Sequence, residues 1–126
     1  MKKEVLKLVQ EFYRNFLLKK PSVEKMRDEL KFMRMRLKPV YGDLTDFVFY
    51  QHTKLVQILW FIGKLDEFLQ KKEKENVSSR TLEQALSYIN EFYFKQMIKD
   101  FPFEEFKNNS FELEVIKERV FKKHLN

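Results

Sequence analysis

The chain has 126 residues, no cysteine, two histidines, two glycines and a formal net charge of +6. Those counts exclude a disulfide framework and a thiolate zinc site, and glycines only at 42 and 63 exclude a P-loop and a dinucleotide-binding turn. The charge is unevenly spread: residues 1–42 hold 12 Lys/Arg against 5 Asp/Glu, residues 43–77 hold 5 against 6, and residues 78–126 hold 8 against 8.

The length is that of one domain, residues 1–126, and 44% apolar residues with 14 Phe argue for a packed core. Few Gly and Pro mean few, long elements, which points to helices. The opening MKKEVLKLVQEF lacks the unbroken apolar stretch of a signal peptide. The most apolar run, Leu55 to Ile62, is interrupted by Gln57 and falls well short of the roughly 20 residues of a membrane span. A cytoplasmic protein is the expectation. Abundant Lys and Glu without Cys is similar to the composition of heat-adapted proteins.

The first predicted helix covers about residues 2–19, with Val5, Val9, Phe12 and Phe16 inward and Leu6, Tyr13 and Leu17 widening that face. Pro21 closes it, and Ser22 is placed to cap the second helix, about residues 23–38. Val23, Met26, Leu30, Met33 and Leu37 step 3, 4, 3, 4 along that helix, a seam made for a neighbouring helix. Pro39 is expected to stop it, with residues 40–42 as a turn.

Asp43 caps a predicted central helix, about residues 44–72, roughly 42 Å long at 1.5 Å per residue. Its seam is Leu44, Phe47, Gln51, Leu55, Ile58, Ile62, Leu65 and Leu69. Val56, Leu59, Trp60, Phe61 and Phe68 lie outside the seam, so the second half is apolar nearly all round. Such a helix is either the centre of the bundle or partly covered by another subunit. Residues 71–76 read as a solvated linker or frayed end. A fourth helix spans about residues 80–99, started by Ser79 or by Thr81, which makes a capping box with Gln84, and has Leu82, Leu86, Ile89, Tyr93 and Met97 as its seam. A fifth covers about 110–124, opened by Asn109 and Glu112. No segment alternates with period 2, so the expected fold is all-α, a compact bundle of four to five helices.

The strongest candidate for function is a row of cations on the second helix. Arg27, Lys31, Arg34 and Lys38 recur at steps of 4, 3 and 4, which places them on one helical face. Lys3, Lys7, Gln10 and Arg14 form a similar line on the first helix. If the two helices pack as a hairpin, the lines border one groove, and a cationic groove favours phosphate backbone. Tyr13, Phe32 and Tyr41 stand near it, available either for stacking on bases or for the core. The expected function is sequence-independent, non-enzymatic binding of RNA or DNA through helices 1 and 2. A protein-interaction or homo-oligomeric assembly role, using the apolar central helix, is the alternative.

Neither His52 nor His124 has an acid three residues before it, as a carboxylate di-iron bundle requires, and no metal or cofactor is expected. His52 has no Ser or Cys nucleophile assignable to it. Arg119-Val-Phe-Lys-Lys-His124 resembles the Arg-x4-His signature of HEPN-domain ribonucleases, small helical bundles that act as dimers. That resemblance implies Arg119 stabilising phosphate charge and His124 in proton transfer. Val120 departs from the polar residue usual after the Arg. In size, helical class and charge the chain is also similar to small subunits of type III CRISPR complexes, which line an RNA filament.

Overall fold

Helical periodicity governs every regular element of the computed structural model, which describes residues 2–41 and 53–99. Helix α1 runs Lys3–Phe12 and continues through a π-helical stretch, Tyr13–Leu17. Helix α2 is Val23–Tyr41 and α3 is Thr53–Lys74. Helix α4 starts as Ser79–Ile89, passes through a second π-helical stretch at Asn90–Phe94 and ends in Lys95–Ile98. The expected fifth helix at 110–124, the Asp43 cap and the first part of the expected central helix lie outside the described residues. The fold is all-α, and no helix among the described residues is long and apolar enough to cross a membrane.

In α1 the buried residues are Val5, Leu8, Val9 and Phe12. Leu8 replaces Leu6 in the inward set; Leu6 and Tyr13, expected to widen the face, are exposed. The π turn explains how the face continues. The Leu18 amide donates to the Tyr13 carbonyl five residues back, at 2.8 Å. The wider turn rotates the positions after Phe12. Phe16 and Leu17 therefore both pack against the core.

Helix α2 begins as its sequence indicates: the Ser22 hydroxyl accepts from the Lys25 amide at 3.4 Å. Its seam holds, with Met26, Leu30, Met33 and Leu37 buried and Val23 packed at the edge. Its end does not. The helix carries on through Pro39 to Tyr41 instead of stopping at 38. Proline removes only its own amide, so one bond back to the Met35 carbonyl is lost while later amides can still turn the chain.

Helix α3 ends in a Schellman cap, so the end is ordered and not frayed, while residues 71 and 73–76 are exposed as a solvated stretch would be. Asn76 takes the left-handed conformation at φ 64°. The Val77 amide donates to the Lys72 carbonyl at 3.1 Å and the Asn76 amide to Glu73 at 3.0 Å. Asn is one of the few side chains that tolerate this position. Helix α4 then starts at Ser79, the earlier of the two expected positions. Its cap is Ser78, whose hydroxyl accepts from the Thr81 amide at 3.2 Å, so the expected Thr81–Gln84 capping box is not the one used.

Helix α2 lies along α3, and α1 lies along α4. Contacts between α2 and α3 advance in the same order along both helices. Glu29 meets Trp60 and Lys64, and Arg36 meets Asp66 and Glu67. The two helices therefore run in the same direction. Between those contacts a Cβ built on Gly63 would lie 2.9 Å from Met33 Sδ, so the absent side chain at 63 lets α2 settle close.

Helix α3 is the centre. Leu55, Val56, Ile58, Leu59, Trp60, Phe61, Ile62, Leu65, Phe68 and Leu69 are all buried, which accounts for an apolar pattern that wraps the cylinder. Phe61 meets Phe12 edge-on, ring centroids 5.6 Å apart, and Phe94 at 5.8 Å, so one ring ties α1, α3 and α4 together. Of the two explanations open for this helix, burial within the chain's own bundle accounts for Trp60 and Phe61, which are 3% and 0% exposed.

Candidate functional site

The apolar seam of α2 faces α3, and this fixes what the other side of α2 presents. Lys31, Arg34 and Lys38 are exposed, and Lys25 joins them at the near end. Arg27 is only half-exposed, and its Nε is buried without a hydrogen-bond partner. It therefore sits at the margin of the row rather than within it. Lys31 has Asp28 at 3.9 Å, one turn back, with both side chains about two-thirds exposed. At that distance and exposure water screens the pair strongly, and Lys31 keeps most of its field.

Contacts toward α3 sort the remaining charges of α2. Glu29 turns inward, where it accepts from the Trp60 indole N–H and pairs with Lys64 at 3.2 Å. Arg36 also turns inward: its Nε is 2.7 Å from Asp66, whose side chain is 7% exposed, and its Nη1 is 3.8 Å from Glu67. One acid and one cation are thereby withdrawn from the outer surface. Of the outward acids, Glu24 lies in the first turn, where it complements the helix dipole, and Asp28 stands beside Lys31. The charged residues that remain outward along the described second half of α2 are cationic.

Two outward residues of α2 are apolar. Phe32 is 89% exposed and Met35 is 87% exposed, one helical turn apart on the side of α2 opposite its seam. Phe32 was one of three aromatics open to either a stacking or a core role, and it is not in the core. Its position in the heptad carries the signal: at about 100° per residue it lies about 140° from the centre of the seam of Val23, Met26, Leu30, Met33 and Leu37. Tyr13 instead stacks on Tyr93, centroids 5.6 Å apart, joining the two π-helical stretches. Burial, followed by the nearby Tyr88 and Tyr13, pushes the Tyr93 phenol above its ordinary value. The side chain of Tyr41 lies outside the described set.

Lys3, Lys7 and Arg14 are exposed on α1. They belong to a different packing pair, because α1 lies along α4 and not along α2. The expected hairpin of helices 1 and 2 is therefore not the main packing unit, and the two lines are not brought together as the walls of one groove. Arg119, His124 and His52 lie outside the described residues. Among the described residues no group of three or more His, Asp or Glu is placed to hold a metal ion.

The sequence reading placed Lys72 in a solvated stretch, but it is buried. It pairs with Glu11 of α1 at 2.8 Å and Glu75 at 2.9 Å, and lies 5.5 Å from the Phe68 ring. Burial acts to lower its pKa, but the hydrogen bonds it donates to Glu11 and Glu75 outweigh it and leave the ammonium above the ordinary lysine value. Its hydrogen bond to Glu75 also holds that carboxyl below the usual range. A hollow of about 420 Å³ opens beside it, lined in part by Glu11, Ser78 and Thr81. The cation at this hollow, Lys72, is already engaged by two carboxylates.

The signs of these shifts set a pH dependence. The raised Lys72 contributes stability that is present below the ordinary lysine pKa and lost as pH climbs through its folded value. The lowered Glu75 contributes stability present above the ordinary carboxylate pKa and lost as pH falls through its folded value. The stability of the wild type relative to Lys72→Met should therefore decline at both strongly alkaline and acid pH. Urea unfolding of the two proteins across pH measures this; a constant difference would show that the node does not act through charge.

Comparison with protein-family models, curated proteins and solved structures returns no significant match.

Proposed function

We propose that this protein binds nucleic-acid phosphate backbone, without sequence preference, along the outer face of α2. The observation that supports the reading most is the sorting of charge on that helix. Glu29 and Arg36 are engaged inward, while Lys31, Arg34 and Lys38 stand outward on a helix anchored by Met26, Leu30, Met33 and Leu37. A rigid cationic surface of this kind attracts polyanions through counterion release and needs no base contacts. Arg27 contributes at the margin, and Lys3, Lys7 and Arg14 form a separate supporting line on α1.

The reading is tested by fluorescence anisotropy with labelled oligonucleotides at low salt. Lys31→Glu combined with Arg34→Glu should lower affinity by tenfold or more while leaving the melting temperature close to that of the wild type, since both side chains are exposed. Binding unchanged by the double reversal would remove α2 as the contact surface.

An assembly role through the central helix has less support, because its aromatic surface is already covered by the chain's own helices. The ribonuclease reading rests on Arg119 and His124, outside the described residues.

A further inference from the structure

We infer that the side of α2 opposite its seam docks the chain's own acidic, phenylalanine-rich stretch, residues 100–116, with Phe32 and Met35 taking apolar side chains and Lys25 and Lys31 taking carboxylates. The inference goes beyond nucleic-acid binding and does not depend on it. At about 100° per residue, Phe32 and Met35 lie about 60° apart around the helix. Lys25, two turns before Phe32, stands about 20° beyond it, and Lys31, one turn before Met35, stands about 40° beyond that residue on the other edge. All four side chains are exposed, and Asp28 on the same side pairs with Lys31 at 3.9 Å. The arc from Lys25 to Lys31 is about 120°, as wide as the face an amphipathic helix packs with. Among the described residues α2 packs along α3, through the seam on its other side.

Scattered apolar side chains on a surface are ordinary, so exposure alone is not the argument. Charge and reach select the occupant. Residues 100–116 hold five acids against one cation, Lys107, together with four phenylalanines. That composition is the complement of an apolar pair edged by two lysines. A second copy of α2 would instead set Lys25 and Lys31 against their own kind. The connection between α2 and α3, residues 42–52, has two acids, Asp43 and Asp46, and is tied at both ends. Helix α4 returns along α3, since Phe94 meets Phe61, and Glu29 of α2 meets the neighbouring Trp60. Lys99, where the described residues end, is five residues past Phe94, about 7 Å of helix. A stretch of 17 residues reaches about 55 Å when extended, several times the roughly 10 Å between packed helix axes. Because the stretch is tethered, docking is intramolecular, at an effective concentration on the order of millimolar, and a narrow contact suffices.

The test is zero-length carbodiimide coupling of the dilute full chain, which joins lysines to carboxylates in direct contact and is read by mass spectrometry. Lys25 or Lys31 should be joined to Glu104, Glu105, Glu112 or Glu114 within one chain. The yield of these links should fall about threefold in the combined variant Phe32→Ser and Met35→Ser, whose side chains are both exposed. Far-UV circular dichroism should show that variant folded like the wild type. Links from the four acids to lysines of α1 or α4 alone, or no links to them at all, would overturn the inference. An unchanged yield in the combined variant would overturn it too, by removing the apolar pair from the contact. Links between two chains would assign the face to a second copy, and links from Lys25 or Lys31 to Asp43 or Asp46 in place of the four acids would assign it to the α2–α3 connection; either result contradicts docking of residues 100–116. The expected links in a protein that binds no oligonucleotide would leave the docking standing and remove only the function proposed above; oligonucleotide binding without the links would do the reverse.

Discussion

Replacing Arg36 by Ala is expected to lower the unfolding free energy by about 3 kcal/mol, near the low end of what removing one partner from a buried ion pair costs. Arg36 Nε is 2.7 Å from the Asp66 carboxylate, and the Asp66 side chain is 7% exposed. Without Arg36 that charge stays in the α2–α3 interface and loses the cation 2.7 Å from it. Arg36 is itself 29% exposed, so water entering its place relieves part of the penalty, hence the low end of the range. Adding Asp66→Ala to Arg36→Ala should recover part of the loss, since the double variant removes the buried carboxylate together with its cation. Urea unfolding of the three variants measures both effects. A loss below about 1 kcal/mol for Arg36→Ala, the worth of an exposed pair, would mean that Asp66 is better solvated than its burial indicates.

Phe61→Ala should cost about 3–5 kcal/mol, the range for truncating a buried aromatic. The ring is fully buried and touches Phe12 and Phe94, so its removal opens a cavity between three helices that cannot close by moving one of them. Thermal or urea unfolding reads the loss directly. Phe32→Ala supplies the contrast: with the ring 89% exposed, its effect on stability should stay within about 0.5 kcal/mol. A comparable loss from both substitutions would contradict the division between core and surface aromatics on which the proposed binding face depends.

Helix class and the core seams were legible in the sequence because periodicity reports burial directly. The 3, 4, 3, 4 spacing of α2 and the fully apolar second half of α3 both translated into buried residues. The departures have local causes. Leu6 and Leu8 are equivalent by composition, and only the packing of α1 along α4 decides which turns inward. A π turn after Phe12 leaves no mark in a pattern read at 3.6 residues per turn. Pro39 signals a stop, yet a helix that loses one hydrogen bond near its end can continue for two residues.

The candidate site was legible only in part, and for a different reason. Spacing places Arg27, Lys31, Arg34 and Lys38 on one face, but it cannot tell how far each reaches into solvent. Arg27 proves to be half-exposed, and Arg36 is drawn inward by an acid thirty residues away in sequence. Lys72 shows the converse, a cation in a charged run of sequence that becomes buried because Glu11 and Glu75 meet it there. Charge partners across helices are tertiary facts, and sequence spacing within one helix does not contain them. Phe32 is different, because its place opposite the α2 seam follows from spacing within the helix.

The most direct test of the account is the salt dependence of oligonucleotide binding by the full chain. If Lys31, Arg34 and Lys38 neutralise about three phosphates of a single strand, log affinity should fall linearly with log salt at a slope of about −2. The Lys31→Glu/Arg34→Glu protein should lose most of that slope together with its affinity. A wild-type affinity independent of salt, or a slope unchanged by the reversal, would contradict phosphate binding by the outer face of α2.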